Sequence, residues 1–197
     1  VYGDGDVFRE ACEHKAPLNV YGWPKYLFNQ SVRRLLPASD IQLAGFRYFN
    51  VYGPHERHKG SMASVASHLD AQLTGGHNPR LFAGSDGYAP GEQRRDFVHV
   101  DDAVAVNLWF LDHPGRSGIF NVGTGRAQSF NEVAHAVIAW HGRGEIEYMP
   151  FPEHLLGCYQ SYTQADISAL RAAGYVAPFM PVETGVPRYL DWLHRHD

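Results

Sequence analysis

Two periodicities alternate along this chain, and that alternation constrains its fold more than any other feature. Val20, Leu27, Phe28, Val32 and Leu35 recur at helical spacing within residues 19–36, as on one face of an amphipathic helix. The apolar and aromatic run Gln42–Phe49 follows, bounded by Pro37 and Gly53, and reads as a strand. Asn50–Gly60 is then a loop, and Ser61 opens a helix predicted over 62–73, closed by Gly75-Gly76. Arg80–Phe82 reads as a strand, Asp86–Gln93 as a loop and Asp96–Val100 as a strand. Asp101 or Asp102 is expected to cap an apolar helix reaching Leu111. Gly118–Val122 is a further strand, and Ser129 with Glu132 has the spacing of a capping box for a helix to Trp140. Ile146–Met149 reads as a strand, Thr163–Asp166 as a second capping signature and Gly174 as a helix stop. A last helix over 182–194 carries Pro187 in its middle. Strands that alternate with helices specify an α/β fold.

Composition narrows the class. The chain has 197 residues, 44% hydrophobic and 19% charged, enough to bury a real core in a soluble globular protein. A formal charge of -4 lacks the basic footprint of a nucleic-acid binder. Cys12 and Cys158 are the two cysteines, so no disulfide scaffold is expected and a reducing compartment, the cytoplasm, is. The apolar run Val104–Leu111 is short and holds Asn107, so no membrane span is expected. The pairs His55/His58 and His194/His196 have loose metal-like spacing, yet no carboxylate or cysteine converges on either in the sequence, and no metal site is read.

Tyr21 and Lys25 lie four residues apart on the first helix and therefore share a face. An ammonium beside a phenol favours the phenolate, which can take a proton from an alcohol. The spacing alone is a weak signal, because a lysine lying over a tyrosine ring is common.

Its surroundings sharpen it. The helix is introduced by Pro17-Leu-Asn-Val and followed by Phe46-Arg-Tyr-Phe-Asn-Val-Tyr-Gly-Pro54, with Asp96-Phe-Val-His-Val-Asp-Asp102 and Phe120-Asn-Val-Gly123 further on. Together these stretches resemble the extended short-chain dehydrogenase/reductase superfamily of nucleotide-sugar enzymes. Within it, His58-Lys-Gly-Ser-Met-Ala-Ser-Val-Ala66, Phe82-Ala-Gly-Ser85, Arg94-Arg-Asp-Phe97, Asn107-Leu-Trp-Phe-Leu111 and Gly123-Thr-Gly-Arg-Ala127 resemble the ADP-L-glycero-D-manno-heptose 6-epimerase family. The resemblance covers essentially the whole chain.

That resemblance implies an NADP-dependent isomerase that inverts carbon six of ADP-heptose by transient oxidation, for the lipopolysaccharide core. Tyr21 and Lys59 would be the two acid/base residues, since a carbonyl that turns over between oxidation and reduction needs a proton partner on each side. Lys25, Val51 (through its backbone) and Lys59 would touch the cofactor. Asn50, Ser61, His68, Phe82, Ala83, Gly84, Ser85, Arg95 and Tyr159 would hold the nucleotide sugar. Arg95 suits a diphosphate because a guanidinium offers paired donors. Lys59, just before the predicted helix start, is expected to feel the positive end of that helix. The family is homopentameric, which implies a homo-oligomer. Another epimerase or dehydratase of the superfamily, or a non-catalytic nucleotide-sugar-binding remnant, is the alternative.

Three departures stand out. Pro24 precedes Lys25, the loop at residues 86–93 is longer than usual, and no glycine-rich dinucleotide fingerprint occurs. The expected architecture is thus the C-terminal two-thirds of the family's chain: the C-terminal part of a Rossmann-like fold plus a smaller α/β substrate-binding domain, without the N-terminal βαβ units. Residues 1–53, with return segments near 96–122, would belong to the dinucleotide-binding domain, and 54–197 mainly to the substrate-binding domain. The fingerprint and a catalytic serine or threonine are expected upstream of Val1, so the chain alone should bind NADP poorly.

Overall fold

The computed structural model describes residues 2, 7–10, 20, 22–153 and 159–196. Tyr21, Cys12 and Cys158 lie outside the described residues.

Helix α1 spans Gly22–Leu35 and tightens into a 3-10 turn at Leu36–Ala38, where Pro37 ends it. Pro24 is its third residue. Amides in a first turn have no intrahelical partner, so this proline removes no helical hydrogen bond. The predicted strand 42–49 is β1, Ala44–Tyr48, and the chain then forms β2, Asn50–Tyr52, inside the expected loop. Those two strands pair with different partners. β1 runs parallel to β6 (Gly118–Val122), whereas β2 runs parallel to β5 (Phe97–His99). The handover is abrupt: Phe49 N–H donates to the Val122 carbonyl at 3.0 Å, and Asn50 N–H to the Asp96 carbonyl at 3.0 Å. Parting strands leave a crevice at their carboxyl ends, where α/β folds place ligands.

β3 (Arg80–Phe82) pairs parallel with β8 (Glu147–Met149), and β4 (Arg94–Arg95) antiparallel with β7 (Gln128–Ser129). Helix α2 is Val65–Thr74, not 62–73: Gly60 breaks the preceding 3-10 turn Arg57–Met62 at φ 53°, and Ser64 caps α2 by accepting from Ser67 N–H. Helix α3, Val100–Asp112, is capped by His99 rather than by Asp101 or Asp102. Burial disfavours the imidazolium of His99, which leaves its Nδ1 a lone pair to accept Asp101 N–H at 3.1 Å. Helix α4, Phe130–His141, has the expected capping box of Ser129 and Glu132. Helix α5 begins at Ser168, whose N–H donates to Asp166 Oδ1 at 2.9 Å, so Asp166 acts alone and Thr163–Asp166 is no capping box; the helix ends at Ala173 before left-handed Gly174. Helix α6, Val182–Leu193, continues through Pro187.

Two cores organise these elements. α2, α4 and α6 bury Leu69, Leu73, Val133, Val137, Val186, Tyr189 and Leu190 against one another. Ala103, Val106 and Phe110 of α3 close a second core with Phe120, Val122, Leu170 and Tyr175. Burial explains why α6 tolerates its proline. Val182, Val186, Tyr189, Leu190 and Leu193 are all buried, and each large apolar side chain contributes about 1.5–3 kcal/mol. Among the described residues, no helix is long and apolar enough to cross a membrane.

Candidate active site

A cavity of about 900 Å³ opens beside the point where β1 hands over to β2. Lys25 and Asn29 of α1 form one wall; Arg47, Phe49 and Asn50 form the strand side. Arg47 is buried and fixed, its Nε 2.9 Å from Asn29 Oδ1 and one terminal amine donating to the Tyr2 hydroxyl at 2.9 Å. The Tyr2 hydroxyl in turn donates to Asn121 Oδ1, and Asn121 N–H to Glu10 at 2.7 Å. Burial pushes the Glu10 carboxyl and the Tyr2 phenol up. Arg47 is thereby committed to structure, while Lys25 and the exposed Asn50 face the cavity. Val51 lies in β2 opposite Val98.

A second group sits next along the chain from that handover. Arg95 follows Arg94 in β4 and precedes Asp96, whose carbonyl receives Asn50 N–H. Its guanidinium is 4.8 Å from the centroid of the Tyr159 ring and 5.8 Å from that of Phe130. Arg95 is only 7% exposed, and no carboxylate among the described residues pairs with it. Burial makes its charged form costly, lowering its pKa, and the nearby Tyr159 opposes that. The Tyr159 phenol is itself pushed up by burial. Aromatic packing continues from Tyr159 to Phe151 at 5.4 Å and from Phe151 to Phe82 at 5.5 Å. Gln160, next to Tyr159, lines the large cavity, so one stretch of chain walls both groups.

The turn after Phe82 is held on both sides. Ala83 N–H donates to the Met149 carbonyl at 2.7 Å, and Gln93 Nε2 donates to the Ala83 carbonyl and to Ser85 Oγ, each at 3.1 Å. A Cβ on Gly84 would stand 1.9 Å from the Tyr88 carbonyl oxygen, so only glycine fits.

Lys59 and Ser61 lie in the 3-10 turn before α2. This corrects the expected electrostatics of Lys59. It sits in the last turn of that 3-10 segment, and its Nζ is 3.6 Å from the carboxylate of buried Glu56. Glu56 is fixed by Ser64, whose N–H donates to it at 2.9 Å and whose hydroxyl donates at 2.5 Å. The nearby charge on Lys59 is therefore a carboxylate, not a helix terminus. Ser61 and His68 come together, with His68 Nε2 3.3 Å from the Ser61 carbonyl. None of Lys59, Ser61 or His68 lines the cavity that holds Lys25 and Asn50.

Sequence reasoning missed Glu56, Gln93 and Phe151. Each acts through a partner distant along the chain or through burial, which leaves no local signature. The histidine pairs also resolve differently from their spacing. His55 packs on Trp192, and His196 Nδ1 donates to the Trp192 carbonyl, 2.8 Å away. His194 does meet a carboxylate, Asp70, at 2.8 Å, contrary to the expectation that none converges on it.

Residues 1–123 match the model of the NAD dependent epimerase/dehydratase family. The ADP-L-glycero-D-manno-heptose-6-epimerase of Alkalilimnicola ehrlichii is 62% identical over 97% of this chain. The chain spans 60% of that relative's length. The crystal structure of the Helicobacter pylori ADP-L-glycero-D-manno-heptose-6-epimerase superposes with a TM-score of 0.80 at 30% identity, covering 98% of this chain and 57% of that one. A Methanobrevibacter ruminantium UDP-N-acetylglucosamine 4-epimerase, 20% identical, superposes with a TM-score of 0.83 over 100% of this chain and 61% of its own; at that identity the likeness is one of fold.

Proposed function

This chain belongs to the NAD dependent epimerase/dehydratase family, and on that premise we propose that the intact protein interconverts ADP-D-glycero-D-manno-heptose and ADP-L-glycero-D-manno-heptose. One observation carries the reading: a buried guanidinium, Arg95, stacked on Tyr159 beside the 82–85 turn and without a carboxylate partner among the described residues. A buried cation is costly unless an anion meets it. A diphosphate would meet it with paired charge-assisted hydrogen bonds, and the Phe82–Phe151–Tyr159 surface offers flat apolar contact beside it. The identity to the Alkalilimnicola relative favours a heptose as the sugar.

The residues facing the large cavity fit the nicotinamide end of a dinucleotide. Lys25 offers an ammonium, Asn50 an amide, and Phe46 and Phe49 apolar walls. We infer NADP there, with Lys25 on the ribose and the Val51 backbone beneath; Lys59, outside the lining of this cavity, is assigned to the cofactor by the resemblance alone. When bound, the nicotinamide supplies reversible hydride exchange with carbon six. Tyr21 would take the hydroxyl proton on one side, and Lys59 would serve the carbonyl in its other orientation. Asn50, Ser61, His68, Phe82, Ala83, Gly84 and Ser85 would line the sugar and its nucleotide. Residues 1–53 and the returning strands near 96–122 would form the cofactor side, and 54–197 mainly the substrate side. A cytoplasmic homo-oligomer, a pentamer, belongs to the same reading.

Replacing Arg95 tests it. In the intact protein, Arg95→Gln is expected to raise KM for the ADP-sugar about tenfold or more, since a charge-assisted bond is worth roughly 1.5–3 kcal/mol. Arg95→Lys, which keeps charge but loses the fork, should fall between. An unchanged KM in a folded Arg95→Gln protein would remove the anion seat.

A further inference from the structure

Away from the site described above, helices α2, α4 and α6 bring three side chains to one point. Asp70 is buried in α2, His141 is the last residue of α4, and His194 is the C-cap of α6. Both imidazoles turn Nε2 toward the same oxygen: His141 lies 2.8 Å and His194 2.8 Å from Asp70 Oδ1. All three donor atoms fall within 4.8 Å of one another. We propose that this triad is a binding site for a borderline divalent transition-metal cation, with Zn²⁺ the best match.

The donor set argues for that class. Two imidazole nitrogens and one carboxylate oxygen suit Zn²⁺, Co²⁺ or Ni²⁺ rather than Mg²⁺ or Ca²⁺, which prefer oxygen. Ligation at about 2.1 Å with tetrahedral angles sets donor atoms roughly 3.4 Å apart. The two contacts to Asp70 reach that by opening about half an ångström from 2.8 Å, and the two imidazole nitrogens already lie within 4.8 Å of each other. The cation takes the place of the two Nε2 protons, and each ring then carries its one proton on Nδ1 as a neutral imidazole ligand.

The surroundings favour a cation too. His141 and His194 both stand at helix C-termini, where the partial charge is negative. Trp140 packs on both rings, at 4.6 Å from His194 and 4.9 Å from His141, fixing their planes and shielding the site. His194 remains about a third exposed, whereas the side chains of Asp70 and His141 are below a tenth. The open side therefore lies at His194, and a water completes the fourth position. Such a site clamps the three helices of the first core. It shares no residue with the cavity of Lys25 and Asn50 or with the Arg95 group.

Titration of the untagged protein with Co²⁺ tests the proposal directly. One equivalent per chain should bind and give visible d–d absorption, and one equivalent of Zn²⁺ should bleach it. Zn²⁺ should also raise Tm. His194→Ala, a change at a partly exposed helix end, should abolish the absorption with an unchanged circular dichroism spectrum. Asp70→Asn should do the same, and His196→Ala should leave binding intact. Absence of stoichiometric Co²⁺ absorption in the folded wild-type protein would overturn the site. So would binding that survives His194→Ala.

Discussion

Lys59 stands 3.6 Å from a carboxylate that is itself pinned by Ser64, so its ammonium is positioned before any substrate arrives. In the proposed reaction this pairing places a proton donor, and Lys59→Ala should lower kcat about 10²–10⁴-fold. Lys59 is 40% exposed but faces buried Glu56, so its removal should lower Tm somewhat while the two Ser64 bonds still hold the carboxylate; an unchanged kcat would dismiss it as an acid/base residue. Gly84 is a residue of a different kind. Its hydrogen faces the Tyr88 carbonyl, and Gly84→Ala should cost at least about 1–3 kcal/mol through forced displacement of the turn, measured as a drop in Tm. Asp166 carries an acid dependence. Bonds from Ser168 and the Arg9 guanidinium hold its carboxyl down to about 2, below the roughly 3.9 of an unfolded aspartate. A depressed folded-state pKa gives stability that is complete above about pH 4 and lost as pH falls toward 2. Asp166 is 24% exposed and its partner Arg9 59%, so solvent screens the pair and the effect should stay under about 1 kcal/mol. Asp166→Asn should flatten the stability curve over that window, as read by denaturant midpoints at pH 2–5.

Elements with local signals were legible. The Ser129/Glu132 box forms as its spacing indicates, with Glu132 accepting Ser129 N–H at 2.6 Å, and left-handed Gly174 stops α5. Elements set by tertiary partners were not. The run 42–52 looks like one strand and a loop because apolar content cannot show that residues 49 and 50 bond to different neighbours. The start of α2 shifts to Val65 because Gly60 takes a positive φ and Ser64 finds Glu56. His99 displaces the aspartates as cap of α3 because burial keeps its ring neutral, a consequence of packing. These caps predict unequal outcomes. Ser129→Ala should cost about 1 kcal/mol by denaturant unfolding. Asp101→Asn should cost less than about 0.5 kcal/mol, because its pairing with Arg188 is exposed and its neighbour His99, 3.6 Å away, is disfavoured as a cation by burial.

At the scale of the molecule, the residues that resemblance assigned to substrate fall partly into one place. Phe82, Arg95 and Tyr159 join through Phe151, and the 83–85 turn is anchored beside them by Gln93. Motifs could name Arg95, but only folding reveals that it is buried and lacks a carboxylate partner among the described residues. The same holds for the Asp70–His141–His194 convergence, whose members lie 71 and 124 residues apart along the chain. The account therefore rests on buried Arg95, packed on Tyr159, next to a cavity at the parting of two parallel ladders. The most direct measurement is incubation of the intact protein and NADP with ADP-D-glycero-D-manno-heptose, followed by NMR at carbon six. The account predicts conversion to a mixture of the D-glycero and L-glycero sugars. A sugar left unchanged, or inverted at another carbon, would contradict it.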